Sequence, residues 1–386
     1  MQVRRVRTLG LRNLADAEVE LGEGVTLVWG PNGAGKTNLL EGLYLGLAGR
    51  SPRTRNDRET IAFGQPLARV EVEVESGGGS DADRHPEHRT FLCAVERGTD
   101  RRHRIDGQSL GPGASELRPT LSVFMPDRLA LIKGPPAGRR AHLDRFCAAL
   151  WPTRTEARRR YARALAQRNA LLGRIRAELA GRDSLEAWDG ELASAGAELI
   201  AIRAEALAGL EAPFAAAAED LGLAGEARIA YRPRSEATGP AELAAELAER
   251  RSSDLARGFT THGPHLDEVA ITRDGRSLRR YGSQGEHRLA LLALLFAERE
   301  RFLEEDRPPP LMLLDDVTSE LDPERRRLLC ERLLRGGGQA LITATEAGQL
   351  PAECPRRELG MREGRVIGAV GGDADGAVGD PKAEAA

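Results

Sequence analysis

The residues with the plainest chemistry are a lysine and a threonine. Lys36 and Thr37 close the run Gly30-Pro31-Asn32-Gly33-Ala34-Gly35, which follows the apolar Val25-Thr26-Leu27-Val28-Trp29 and opens onto Asn38-Leu39-Leu40-Glu41-Gly42-Leu43. The pattern reads as strand, glycine-rich loop and helix. Glycines let successive backbone N–H groups point inward around phosphates, and the helix N-terminus adds its positive end. In that setting Lys36 neutralises the β- and γ-phosphates of a nucleotide and the Thr37 hydroxyl ligates Mg²⁺. Lysine is scarce here, since Lys36, Lys133 and Lys382 are the only three in 386 residues, so its place in the loop carries information. The competing reading is a structural glycine turn before a helix.

A second set of residues matches the first. Leu311-Met312-Leu313-Leu314 reads as a buried strand ending in Asp315 and Asp316, and burying that charge unpaired is costly. A metal ion or solvent must therefore meet it. Asp315 is expected to hold Mg²⁺ and Asp316 to orient or deprotonate an attacking water, so the catalytic set is Lys36, Asp315 and Asp316 and the metal set Thr37 and Asp315. Ser283-Gln284-Gly285-Glu286 precedes an apolar helix at 289–302, and a serine and a glycine at a helix N-terminus can bind phosphate. Asp322 before Pro323 is a helix N-cap and a second candidate for the nucleotide. Arg12 and Asn13 lie in a turn between two short strands, where Arg12 is either a solvated charge or a phosphate ligand. The expected ATP-contacting residues are Arg12, Asn13, Gly30, Pro31, Asn32, Gly33, Ala34, Gly35, Lys36, Thr37, Asn38, Ser283, Gly285 and Asp322. The strand at 339–345 ends in polar residues that face the same region.

The elements that position these groups follow from periodicity. Val70-Glu71-Val72-Glu73-Val74-Glu75 alternates as a half-buried strand, a polar glycine-rich hairpin loop runs from Ser76 to His88, and a strand returns at 91–96. Asp106-Gly107 and Asp274-Gly275 mark hairpin turns. These strands build an antiparallel flank beside a mainly parallel core. Residues 153–210 carry apolar positions at helical spacing and read as two or more long helices. The first holds Arg154, Arg158, Arg159, Arg160, Arg163, Arg168, Arg174 and Arg176 against Glu156 and Glu178, a locally positive stretch in a chain of net charge −3. It is either a solvated face or a phosphate-backbone contact, and Arg158, Arg159 and Arg163 are the candidate DNA-binding residues. His262, His265 and Asp267 surround Gly263-Pro264, which favours a shaped turn over a metal site.

Composition excludes several classes. The four cysteines are scattered without a Cys-x-x-Cys pair, which points to free thiols in a reducing, cytoplasmic setting. No stretch approaches the ~20 apolar residues that a membrane span requires. The expected division is an ATPase lobe over 1–130, a helical insertion over 131–255, a return to the ATPase lobe over 256–370, and a disordered tail over 371–386.

Taken together these motifs resemble the ABC-type ATPases, and within them the DNA-repair branch that includes the SMC proteins and the RecF family. The resemblance rests on Leu11-Arg12-Asn13, the phosphate loop, Phe124-Met125-Pro126-Asp127, Gly134-Pro135, Arg139-Arg140, Leu143-Asp144, His262-Gly263-Pro264-His265 with Asp267, the Ser283 signature, and Asp315-Asp316 with 319–322. It implies an α/β fold: an ABC-type ATPase head with a mixed sheet and an antiparallel β flank, plus a mainly helical second lobe without a long coiled coil. It further implies ATP and Mg²⁺ as cofactors, and an ATP-dependent homodimer in which Ser283 and Gly285 of one chain close on the γ-phosphate held by Lys36 of the other. The implied role is a DNA clamp in recombinational gap repair, replication restart and SOS induction, acting on single-stranded, gapped or junction DNA with the RecO and RecR mediators, and released by slow DNA-dependent ATP hydrolysis. Glu286 departs from the glutamine common in ABC signatures, and Asp316 from the glutamate of transporters. A transporter nucleotide-binding subunit would place the signature nearer the loop and need a membrane partner. An SMC-like tether would need room for a long coiled coil.

Overall fold

Val25–Trp29 is buried at its first four positions, as expected of a strand covered on both faces. It pairs in parallel with Ala340–Ala344 on one side and Arg356–Arg362 on the other, and Arg365–Val370 joins the latter antiparallel. This mixed sheet belongs to a computed structural model of the chain that describes residues 2–76, 87–99, 101–109, 118–182 and 184–370. Most of the expected hairpin loop (77–86) and the tail from Gly371 lie outside the described residues.

The chain divides into two compact units, one of 1–110, 315–319 and 337–386, the other of 111–314 and 320–336. In the first unit the loop after Val25–Trp29 leads into the helix Lys36–Ala48. That helix lies close against the antiparallel flank: a Cβ at Gly46 would come within 2.5 Å of Val72 Cγ2. The flank is a six-stranded sheet in the order Ala17–Glu20, Gln2–Leu9, Leu67–Ser76, Glu87–Glu96, Arg102–Ile105 and Gln108–Ser109. Its register puts Val6 opposite Val72 and Val72 opposite Phe91, all buried, while the alternate positions Arg5, Arg7, Glu18 and Glu73 pair as ions on the outer face. The Asp106-Gly107 turn closes the last hairpin, with both residues at positive φ.

The second unit holds most of the helices. Thr155–Arg176, Leu185–Asp220 and Pro240–Glu249 share a core of Tyr161, Ala164, Leu192, Leu199, Leu243 and Leu247. Leu185–Asp220, at 36 residues, is the longest helix among the described residues, so no long coiled coil occurs among them. The helix Gln284–Glu304 packs on it. The unit also contains the parallel pair Leu121–Phe124 and Leu311–Leu314, and a three-stranded antiparallel sheet of Ala227–Arg232, Glu268–Arg273 and Arg276–Ser277. Residues 256–314, expected with the phosphate loop, group here because Glu268–Arg273 pairs with Ala227–Arg232 and Gln284–Glu304 packs on Leu185–Asp220.

One member of the arginine run is not on a surface. Arg168 is fully buried, and its guanidinium binds Asp189 and Asp254 at 2.7 Å each and the Thr260 hydroxyl at 2.8 Å. The positive stretch is thus less charged outward than the sequence suggests. Among the described residues no helix is long and apolar enough to cross a membrane.

Candidate functional site

The phosphate loop is set by backbone that only glycine can adopt. Gly30 has φ +155°, and a Cβ there would fall 2.1 Å from the Met361 carbonyl oxygen. The loop is anchored where Gly30 N–H donates to Ala344 O at 3.3 Å and Gly364 N–H to Ala34 O at 2.9 Å. Lys36 opens the helix and folds its ammonium back over the loop, donating to Gly30 O at 2.6 Å and Pro31 O at 3.0 Å. Burial lowers its pKa, while the charges of Asp316 and Asp315 work in the opposite sense. The ammonium, the loop N–H groups and two carboxylates therefore share one electrostatic environment.

Asp315 is the meeting point of three segments distant in sequence. The Thr37 hydroxyl donates to its Oδ1 at 2.8 Å, and the Thr343 hydroxyl donates to the same oxygen at 2.7 Å. Thr343 Oγ1 also accepts from the Asp316 N–H at 2.9 Å, which fixes the backbone of the second carboxylate. Asp316 has φ +50°, a left-handed conformation that aspartate tolerates better than most side chains. A hydroxyl and a carboxylate in contact form the hard-oxygen donor set that suits Mg²⁺, so Thr37 and Asp315 fit the metal expected from sequence.

Asn13 and Asn38 buttress the loop. Asn13 Nδ2 donates to Gly33 O at 2.9 Å and its Oδ1 accepts from Asn38 Nδ2 at 2.7 Å. Arg12, expected either at the phosphates or in solvent, is held by Glu41, with Nε at 3.0 Å and Nη2 at 2.8 Å from the two carboxylate oxygens. Glu41 is fully buried and also receives Ser51 Oγ at 2.6 Å and Arg53 Nη1 at 3.1 Å. Burial pushes its carboxyl upward, but Arg12, Ser51 and Arg53 outweigh it and hold the group below the ordinary glutamate value. Pro31, Asn32, Gly33, Ala34 and Gly35 complete the loop before Lys36.

In the second unit Ser283 caps Gln284–Glu304 in a reciprocal capping box: Glu286 N–H donates to Ser283 Oγ at 3.3 Å and Ser283 N–H to Glu286 Oε2 at 2.8 Å. Glu286 also pairs with Arg273. Its carboxyl is lowered first by the Ser283 N–H and then by the Arg273 charge. Ser283 and Gly285 are exposed. Asp322 caps Pro323–Leu334, accepting from Arg325 N–H at 2.9 Å, so its structural role holds.

The other candidates are placed as follows. Arg158 pairs with Asp144 at 3.2 Å, Arg159 with Glu156 at 3.7 Å and Arg163 with Glu156, all three on an exposed face. His262 pairs with Glu246, His265 sits between Tyr161 and Thr260 O, and Asp267 accepts from Arg203, Tyr231 and Arg234 N–H, which makes this a shaped turn held by side-chain hydrogen bonds. Sequence reasoning missed Glu41 as a member of the site and pointed to the polar end of the 339–345 strand without singling out Thr343. Thr343 is a polar residue in a fully buried strand, and Glu41 a carboxylate on a leucine-rich helix, each of which calls for a partner.

The RecF/RecN/SMC N terminal domain family model matches residues 2–362. The DNA replication and repair protein RecF of Deinococcus radiodurans is 36% identical over 356 residues, covering 92% of this chain and 93% of that protein. RecF of Anaeromyxobacter sp. (strain Fw109-5) is 36% identical over 368 residues, covering 92% and 96%. A solved structure of the recombination mediator protein RecF-ATP in the RecFOR pathway superposes with a TM-score of 0.79 at 27% identity, covering 96% of this chain and 97% of that one. The Smc head bound to the C-winged helix domain of ScpA, at 14% identity and a TM-score of 0.57 over 96% and 98%, shares the fold. With the family model spanning nearly all the described chain and relatives above 30% identity over nine-tenths of it, this chain belongs to the RecF family of DNA replication and repair proteins.

Proposed function

We propose that this protein is an ATP-dependent DNA clamp of recombinational gap repair, replication restart and SOS induction. The observation that carries the reading is the contact of Thr37, Asp315 and Thr343, which joins the phosphate loop to the acidic strand end. Loop N–H groups bind the nucleotide phosphates, and the Lys36 ammonium turns from the loop carbonyls to them. Thr37 and Asp315 would hold Mg²⁺, which when bound neutralises charge on the phosphates. Asp316 orients the attacking water and accepts its proton as the terminal phosphoryl group leaves the β-phosphate.

Ser283 and Gly285 of a second copy complete each site, giving an isologous dimer with two nucleotides at its interface. ATP binding assembles the clamp, and slow hydrolysis stimulated by DNA releases it. The solved relative is named as a mediator in the RecFOR pathway, which supports RecO and RecR as partners.

The deciding experiment measures binding of fluorescent gapped, single-stranded and duplex DNA at one stated salt concentration, with ATP, ADP or no nucleotide. ATP should strengthen binding and Lys36→Met should abolish the gain. Equal affinity in all three nucleotide conditions would overturn the clamp.

A further inference from the structure

Phe63 has a relative exposure of 103%, the highest among the exposed large apolar side chains of the described residues. It does not sit on a frayed end. Ala62 N–H donates to Gly10 O at 2.8 Å, Leu11 and Ile61 form an antiparallel bridge, and Gln65 N–H donates to Ala62 O at 3.1 Å around Gly64 at φ +80°. A closed turn thus holds an aromatic ring out in water, where burial would be favourable.

The approach to this turn is cationic, with Arg50, Arg53, Arg55 and Arg58 set against Asp57 and Glu59. Asp57 is already taken by Arg101 and Ser51 N–H, and Glu59 by the Thr54 hydroxyl. Arg50, Arg55 and Arg58 are exposed and have no carboxylate partner among the described residues. Arg97 brings a further exposed guanidinium, its backbone N–H donating to Pro66 O at 3.3 Å. The same segment is tied to the helix that follows the phosphate loop, because Arg53 donates to Asn38 Oδ1 at 2.9 Å and to the buried Glu41.

An outward ring in the same short segment as exposed guanidinium groups fits a polyanion that also offers aromatic faces. Duplex DNA keeps its bases stacked on one another, whereas a single strand has unpaired bases to place on a side chain and phosphates to meet the arginines. A protein partner would want a wider apolar patch, and Ala62, Gly64 and Gln65 around Phe63 offer little apolar surface. We infer that the Phe63 turn, with Arg55 and Arg58, is a contact for single-stranded DNA in which one unpaired base stacks on the ring. The inference rests on the DNA-binding reading above and adds the residues that meet the single strand.

The test compares the parent protein with Phe63→Ala, Phe63→Trp and the double variant Arg55→Ser/Arg58→Ser, with ATP, on single-stranded, gapped and duplex oligonucleotides. Phe63→Ala should bind single-stranded and gapped DNA about tenfold more weakly and duplex unchanged. Phe63→Trp should keep the affinity, and its added indole emission, above the background of Trp29, Trp151 and Trp188, should be quenched by the single strand. The double arginine variant should flatten the salt dependence on single strands by about 1.4 in log–log slope. Unchanged single-strand affinity in Phe63→Ala, with ATP binding intact, overturns the inference while leaving the clamp standing, even if that variant loses a mediator protein. A parent that binds no DNA in any nucleotide condition overturns both.

Discussion

Asp315 is satisfied by two hydroxyls that reach it from the phosphate loop and from the neighbouring strand end. Replacing one of them tests whether that geometry matters for turnover. Thr343→Val removes a bond to Asp315 and the acceptor of the Asp316 N–H, so it should cost about 2 kcal/mol in unfolding free energy. ATP affinity should stay near the parent value while turnover falls at least tenfold, read by nucleotide binding and phosphate release. Glu41 offers a pH test. Its folded-state pKa lies below the unfolded value of about 4.3, so its ion pairs add stability that is fully present above that value and withdrawn as pH falls through the folded one. Glu41→Gln should therefore lower stability by about 2 kcal/mol at pH 7, with the gap to the parent closing below about pH 4 in urea titrations. Lys36 and Thr37 were legible because their chemistry depends on spacing within one loop. Thr343 was legible only as part of a strand's polar end and Glu41 not at all, because their partners are brought to them through space, and Arg12 was claimed by a buried carboxylate that the linear sequence does not pair with it.

At the scale of elements, alternation and turn chemistry carried most of the information. The flank strands, both Asp-Gly hairpins and the Asp322 cap stand where the pattern puts them, since each is decided within a few residues. The helices of the second unit were legible as helices, but their faces were not. Arg168 stands in a run of arginines that looks solvent-facing, yet it ties Thr155–Arg176 to Leu185–Asp220 and Arg251–Arg257 through Asp189 and Asp254. Removing it strands buried carboxylates, so Arg168→Leu should destabilise the protein by about 3 kcal/mol, seen as a lower urea midpoint with ATP affinity unchanged. The strand Ala227–Arg232 went unread because six residues with one clear alternation are a weak signal beside long helices. Glu286 gains a physical account: it closes the capping box with Ser283 and pairs with Arg273, neither of which requires glutamine.

For the molecule as a whole the decisive question is assembly. Ser283→Arg should leave ATP binding by the monomer intact and abolish ATP-dependent dimerisation in light scattering; a variant that still dimerises would remove the signature from the interface. Asp316→Asn should trap the dimer with ATP, and the φ of +50° at this position suits asparagine, so the trap carries no backbone penalty. Unchanged turnover in that variant would take Asp316 out of the chemistry. The lobes expected from sequence already interleave, and the compact units do so further: 111–130, 256–314 and 320–336 group with the helical segment, because strand pairing and helix packing gather segments distant in the chain.

That interleaving has a genetic consequence. The polypeptide leaves the first unit after residue 110, returns for 315–319, leaves again, and comes back at 337. Any single break between Thr37 and Asp315 puts the loop and its carboxylates on separate polypeptides. Neither unit can be expressed as one uninterrupted stretch of the gene. Truncation alleles should therefore behave as nulls, while co-expressed complementary halves can restore the ATP site by reassociation alone.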